Sequence, residues 1–146
     1  MLDVRRHPGS RRWPHFGAAA LAASLAAEGI DYAGLPELGG RRIPAPDSPH
    51  TAWREPAFRG YADFMDTAEF ARGLERLRGL ASGRAAVMCA EALPWKCHRS
   101  LVADALVARG ETVDDILSAE SARPHRLPGF ARRAGERVVY DARVIP

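Results

Sequence analysis

Two sulfurs, a carboxylate, an imidazole and a guanidinium fall within eleven positions of this chain, at Cys89, Glu91, Cys97, His98 and Arg99. Cys97, near the positive end of a helix and beside an arginine, has surroundings that favour thiolate. It is expected either as a nucleophile or redox group, or as a small residue that packs a turn. Cys89 closes an apolar run and is expected to be buried and inert in the wall of the same pocket. A reversible disulfide between the two is a third reading, although C-x7-C is not the C-x2-C spacing of thioredoxin-like loops. Glu91 follows the apolar run by two residues. Desolvation there would raise its pKa and suit it to acid or base work; the other reading is a carboxylate paired with Arg99 or Arg5. His98 reads as a general base or anion donor, or as an exposed first-turn residue with no role. Arg99 at a helix start suits a phosphate or carboxylate, or a structural ion pair. Adjacent side chains on a helix diverge by about 100°, and no second Cys/His pair has ligand spacing, so no metal centre is expected.

The elements that position these residues are legible on either side. Ala85–Cys89 is a continuous apolar run of strand length, as in a central parallel strand covered on both faces. The residues from Cys97 to Gly110 place Leu101, Val102, Ala105 and Leu106 on one helical side. Upstream, Leu2–Arg5 reads as a short strand followed by a basic loop, and His15–Glu28 as a helix with an apolar face of Phe16, Leu21, Ala22 and Leu25, stopped by Gly29. Ile30–Leu35 reads as a second strand, followed by a loop with glycines and paired arginines at 41 and 42. Prolines at 44, 46, 49 and 56 predict a long surface loop, a candidate lid. A short helix carries Phe58, Tyr61, Ala62 and Met65. Asp66 or Thr67 caps a second helix with a face of Phe70, Leu74, Leu77 and Leu80. Thr112–Leu117 is a further strand candidate, and Val138–Tyr140 an edge strand or a surface segment.

This alternation predicts an α/β fold, a three-layer open and mostly parallel sheet with helices on both faces, in one domain spanning residues 1–146. The basic loops would then share a face with the Cys89–Arg99 turn. The formal charge is +3, and Lys96 is the only lysine, so the basic character is almost all arginine. No apolar run approaches the ~20 residues of a membrane span, and no signal-peptide core is present. A cytoplasmic protein with reduced thiols is expected.

The residues Asp3-Val-Arg5, Pro8-x-Ser-Arg11, Gly29-Ile-x-Tyr32, Leu38-Gly-Gly-Arg41, Met88-Cys-Ala-Glu91 and Cys97-His-Arg99, in that order, resemble the bacterial and archaeal family catalogued as domain of unknown function 488. The likeness covers nearly the whole chain. It implies an α/β fold with a marked Cys-His-Arg motif and no settled activity. Members usually carry a further strand and helix ahead of the Asp-Val-Arg stretch. Without them Leu2–Arg5 would be a bare apolar edge, so a homodimer or a loose amino terminus is expected.

Taken together, the residues point to a small enzyme with a pocket for a phosphate-bearing or nucleotide-like anion at the carboxyl edge of the sheet. Arg5, Arg11, Arg41 and Arg99 would hold the anion, with Ser10, Gly39, Gly40 and Cys89 in the pocket wall. Glu91 would transfer protons, and Cys97 with His98 would supply or orient the nucleophile. No cofactor is indicated by any motif. The alternative is a non-catalytic nucleic-acid-binding module, in which the same arginines contact phosphates and Trp13, Trp53 and Trp95 stack on bases.

Overall fold

The computed structural model describes residues 1–141, a mixed helix-and-strand chain built on a small parallel sheet. The sheet has three strands, β1 (Leu2–Asp3), β2 (Ala33–Gly34) and β3 (Val87–Met88), in the order β2-β1-β3. Leu2 pairs with Ala33 on one side and Val87 on the other. Parallel neighbours need crossovers, supplied by α1 (Ala18–Ala27) between β1 and β2 and by α2 (Pro56–Met65) and α3 (Ala68–Leu80) between β2 and β3. Helix α4 (Arg99–Ala108) follows, and then two antiparallel hairpins, β4 (Asp114–Ser118) with β5 (Ser121–Pro124) and β6 (Arg132–Ala134) with β7 (Arg137–Val139).

Several expectations change. β1 is the middle strand and not a bare edge: Leu2 and Val4 are buried, so the apolar edge expected to recruit a second copy is covered by the chain itself. β3 is an outer strand with half-buried residues, whereas a central one was expected. The strand expected at 112–117 forms, but in an exposed hairpin, because its tight turn at 119–120 lets β5 pair with it before any sheet edge can. α1 ends as expected at Gly29, whose φ of +70 suits a residue without Cβ. Leu21, Ala22 and Leu25 are half-buried on one side as expected, although no residue of α1 is fully buried and Phe16 lies outside it in a 3-10 turn.

The core lies where α2, α3 and α4 meet β1. Thr67 caps α3 by accepting the Phe70 N–H, and Phe70, Leu74 and Leu77 are buried, while Leu80 in the last turn is exposed. α4 buries Leu101, Val102, Ala103, Asp104, Ala105, Leu106 and Ala108. The proline-rich segment is pinned to α2 and to Tyr140. Ser48 Oγ donates to Asp63 Oδ1 at 2.6 Å, the Ala45 N–H to Asp63 Oδ2 at 2.8 Å, and fully buried His50 lies against the Tyr140 ring. Tyr140 itself is buried just past β7. No helix among the described residues is long and apolar enough to cross a membrane.

One polar network clamps the β4–β5 hairpin to α4. His125 Nε2 lies 2.8 Å from Asp104 Oδ1 and its Nδ1 3.0 Å from Asp115 Oδ1, while Tyr140 OH donates to Asp104 Oδ2 at 2.6 Å. The hydrogen bond to Asp104 raises the His125 pKa, partly opposed by burial, and Asp115 raises it further. A raised folded value means that protonated His125 stabilises the fold fully below the unfolded value of about 6.5. That contribution fades as pH climbs through the folded value. Urea denaturation should therefore show stability falling on the alkaline side of pH 6.5, with the slope reduced in His125→Gln. An identical slope in the variant would place the titrating group elsewhere.

Candidate functional site

The carboxyl ends of β1 and β3 open onto a cleft of about 820 Å³, with Cys89, Cys97 and His98 in its lining. The chain leaves β3 at Met88, turns through a 3-10 segment at Pro94–Lys96, and passes Cys97 in extended conformation (φ −132, ψ 143) before α4. His98 is the residue before that helix. Cys97 is extended and His98 precedes the helix, and with this backbone Cys97 Sγ and His98 Nδ1 stand 3.8 Å apart. The divergence expected from sequence, and the absence of a metal-type cluster inferred from it, assumed a helix that starts two residues too early. Cys89 Sγ, Cys97 Sγ and a ring nitrogen of His98 all lie within 4.8 Å of one another.

His98 is held from three sides. Its Nε2 lies 3.2 Å from the Val4 carbonyl oxygen. A carbonyl only accepts, so Nε2 carries the proton and, in the neutral ring, Nδ1 presents its lone pair to the sulfurs, 3.8 Å from Cys97 and 3.9 Å from Cys89. The Tyr61 ring packs beside it at 5.0 Å between centroids, and Tyr61 OH donates to the Leu38 carbonyl at 2.6 Å. Gly40 closes the third side. A Cβ there would lie 2.9 Å from His98 Nδ1, and one at Gly39 would lie 2.5 Å from Arg6 Cβ. The two glycines are thus explained by close approach of their loop to His98 and to Arg6.

The two thiols differ. Cys97 is 2% exposed and accepts the Arg99 N–H and the Arg99 Nε–H, each at 3.4 Å. Cys89, expected to be the inert one, is half-buried. A hydrogen bond from Cys97 is the main influence on Cys89; although burial opposes it, this bond, together with the His98 ring in its doubly protonated form and the Glu91 amide, pulls Cys89 down to about 4. Cys97 is pushed up, first by Cys89 and then by burial, which outweigh Arg99. Within the pair, thiolate is favoured on Cys89, the better exposed sulfur, over Cys97.

Of the residues singled out from sequence, Arg5, Ser10, Gly40, Arg41, Cys89, Glu91, Cys97 and His98 line the cleft, whereas Arg11, Gly39 and Arg99 do not. Arg5 is already occupied, donating to both Asp3 oxygens at 2.6–3.1 Å and to the Phe16 carbonyl at 2.8 Å. Arg99 spends its guanidinium on Cys97 and the Glu91 carbonyl and borders a separate cavity. Arg42 donates to Glu37 and Gly39 carbonyls and covers the Phe64 ring at 3.5 Å. Glu91 is exposed, so the desolvation expected for it is not seen: the chain turns outward at Ala90. Ser10 Oγ accepts the Trp13 N–H at 2.9 Å.

Arg6 also lines the cleft, as do His7 and Lys96, the two that sequence reasoning left without a role. Lys96 had a signal, being the lone lysine beside Cys97. The Val4 carbonyl had none. Arg6, Arg41 and Lys96 make no ion pair among the described residues, and Arg41 has a φ of +61, a strained conformation for a residue with a side chain.

A family model described as Domain of unknown function DUF488 matches residues 1–106. The match takes in β1 to β3 and the whole Cys89–Arg99 turn, and stops before the two hairpins. Neither a curated protein nor a solved structure matches the chain.

Proposed function

The chain belongs to the family described as Domain of unknown function DUF488, and on that premise, which brings no activity with it, we propose a small enzyme that acts on a phosphate-bearing or nucleotide-like anion. The observation that carries this reading is one of placement: two thiols and an imidazole share one cleft with three cations, Arg6, Arg41 and Lys96, that no carboxylate neutralises among the described residues. Cations without a carboxylate partner that line one concavity suit a compact anion. The anion would span these cations and present its reacting atom to Cys89 and His98, with the buried Cys97 behind them. Glu91 at the mouth is the group placed to exchange protons with it. Arg5 and Arg99 shape the loops and do not bind the ligand.

A second reading, a nucleic-acid-binding module, is favoured by two half-exposed tryptophans beside arginines, Trp13 and, with the Arg123 guanidinium 5.7 Å from its ring centroid, Trp95. Trp13 is half exposed with the Arg12 guanidinium 5.4 Å from its ring centroid, and Arg11 adjoins them. Trp53 is not available to bases, since it stacks on Phe58 and meets Phe130 and Tyr140 edge-on or tilted. Salt separates the two. Each phosphate neutralised on duplex DNA contributes about −0.9 to the slope of log K against log salt. Duplex binding should be weak, with a slope shallower than about −2. A steeper slope that collapses in an Arg11→Met/Arg12→Met variant would make the binding module the better reading.

A further inference from the structure

We propose that Cys89, Cys97 and His98 hold a thiophilic divalent cation of the zinc type through two sulfurs and Nδ1, with its remaining position open to the cationic cleft. The inference rests on that cleft being the site, and says what its thiols and imidazole are for.

The distances come first. Around a tetrahedral zinc with bonds of ~2.0 Å to nitrogen and ~2.3 Å to sulfur, ligand atoms lie roughly 3.5–3.8 Å apart. His98 Nδ1 already stands 3.8 and 3.9 Å from the two sulfurs, and no separation within the trio exceeds 4.8 Å. Side-chain torsions of two cysteines supply the remaining contraction without moving a strand.

The partners behind the ligand atoms agree. A metal-bound imidazole usually donates its other N–H to a carbonyl or carboxylate, which fixes the tautomer. Here the Val4 carbonyl at the end of β1 takes Nε2–H, leaving the Nδ1 lone pair pointed at the sulfurs. Metal-bound thiolates accept N–H donors, and Cys97 receives two from Arg99. Each sulfur binds as thiolate, its proton leaving to solvent. Two thiolates cancel the charge of a divalent ion, so a neutral centre can share the cleft with Arg6, Arg41 and Lys96 without repelling them.

The ligand count fits a working site more than a structural one. Structural zinc is closed by four protein ligands, whereas catalytic zinc keeps three and leaves a position for water or substrate. His98 and both cysteines line the cleft, and Gly40 leaves free the space beside Nδ1 that a Cβ would fill. Mixed sulfur and nitrogen donors select zinc over magnesium or calcium, which take oxygen.

The test uses the full chain, reduced, stripped with a chelator and titrated with zinc against a chromophoric competitor. One equivalent should bind, and cobalt in its place should give sulfur-to-metal charge-transfer absorption. Cys97→Ser and His98→Gln should each weaken zinc by more than about 100-fold, beyond the ~10–100-fold that loss of an outer partner costs. X-ray absorption of the zinc-loaded wild type should read two sulfurs and one imidazole, which keeps the proposal testable if a variant fails to fold. Less than stoichiometric zinc on fully reduced protein, a sulfur-free first shell, or undiminished binding in the folded variants would overturn it. Phosphate binding measured on the zinc-free protein separates the two readings: loss of zinc with phosphate retained removes only the metal, and the reverse removes only the anion cleft.

Discussion

Replacing Asp3 by alanine should cost about 3–5 kcal/mol of folding stability, the range for removing one partner of a buried ion pair. Asp3 is 1% exposed on the central strand, and its carboxylate accepts Arg5 Nε and Nη2, the Arg5 N–H and Tyr32 OH. Truncation leaves the Arg5 guanidinium, itself only 10% exposed, with the Phe16 carbonyl as its remaining partner. Burial alone would raise the Asp3 pKa, but the hydrogen bonds from Arg5 and Tyr32 outweigh it and the net direction is down. A depressed folded value contributes stability that is present above the unfolded value of about 3.9 and lost as pH falls towards the folded one. Urea midpoints of Asp3→Ala and wild type should therefore differ widely at pH 7 and converge in acid. Arg5→Met on the Asp3→Ala background should recover part of the loss. A difference under about 1 kcal/mol at pH 7, the range of an exposed pair, would show that the carboxylate is not the buried hub described.

The link from this pair to the site is short. Val4 follows Asp3, and its carbonyl fixes His98. Damage to β1 should therefore reach the imidazole before the thiols.

What the sequence showed and what it hid divide along physical lines. The turn at Cys89–Arg99 was legible because an apolar run, a loop and a helix each leave a local pattern, and so was the Thr67 cap. Strand order was not. β1 sits in the middle because β2 and β3 both pair with it, a non-local choice that two-residue strands do not encode in their own periodicity. The face of α1 was legible in part: Leu21, Ala22 and Leu25 are its half-buried side, whereas Phe16 falls outside the helix and is exposed. Arginines were harder still. Arg5, Arg6 and Arg99 look alike in a string, yet Asp3 claims the first, Cys97 and Glu91 claim the third, and Arg6 has only a 3.4 Å contact to the Arg41 carbonyl at the cleft. The convergence of Cys97 with His98 turned on where α4 begins, and helix starts are the least certain feature of a sequence pattern.

The second large effect concerns the cleft cations, and Arg41 offers an unusual handle on them. At φ +61 a glycine is less strained than any other residue, so Arg41→Gly removes a cation without removing a packed side chain. Stability should be unchanged or slightly higher, while each charge-assisted hydrogen bond lost to an anion costs about 1.5–3 kcal/mol, roughly 10- to 100-fold in affinity. Binding and stability should thus move apart, which a merely structural role for Arg41 would not produce.

The most direct measurement is calorimetric titration of adenosine 5′-monophosphate into wild type, Arg41→Gly and Arg6→Met/Arg41→Gly at one ionic strength. The wild type should bind one equivalent, the single variant about tenfold or more weakly, and the double variant more weakly again, with all three equally folded. Equal affinity in the three proteins, or no binding to any of them, would contradict an anion site over Cys89 and His98.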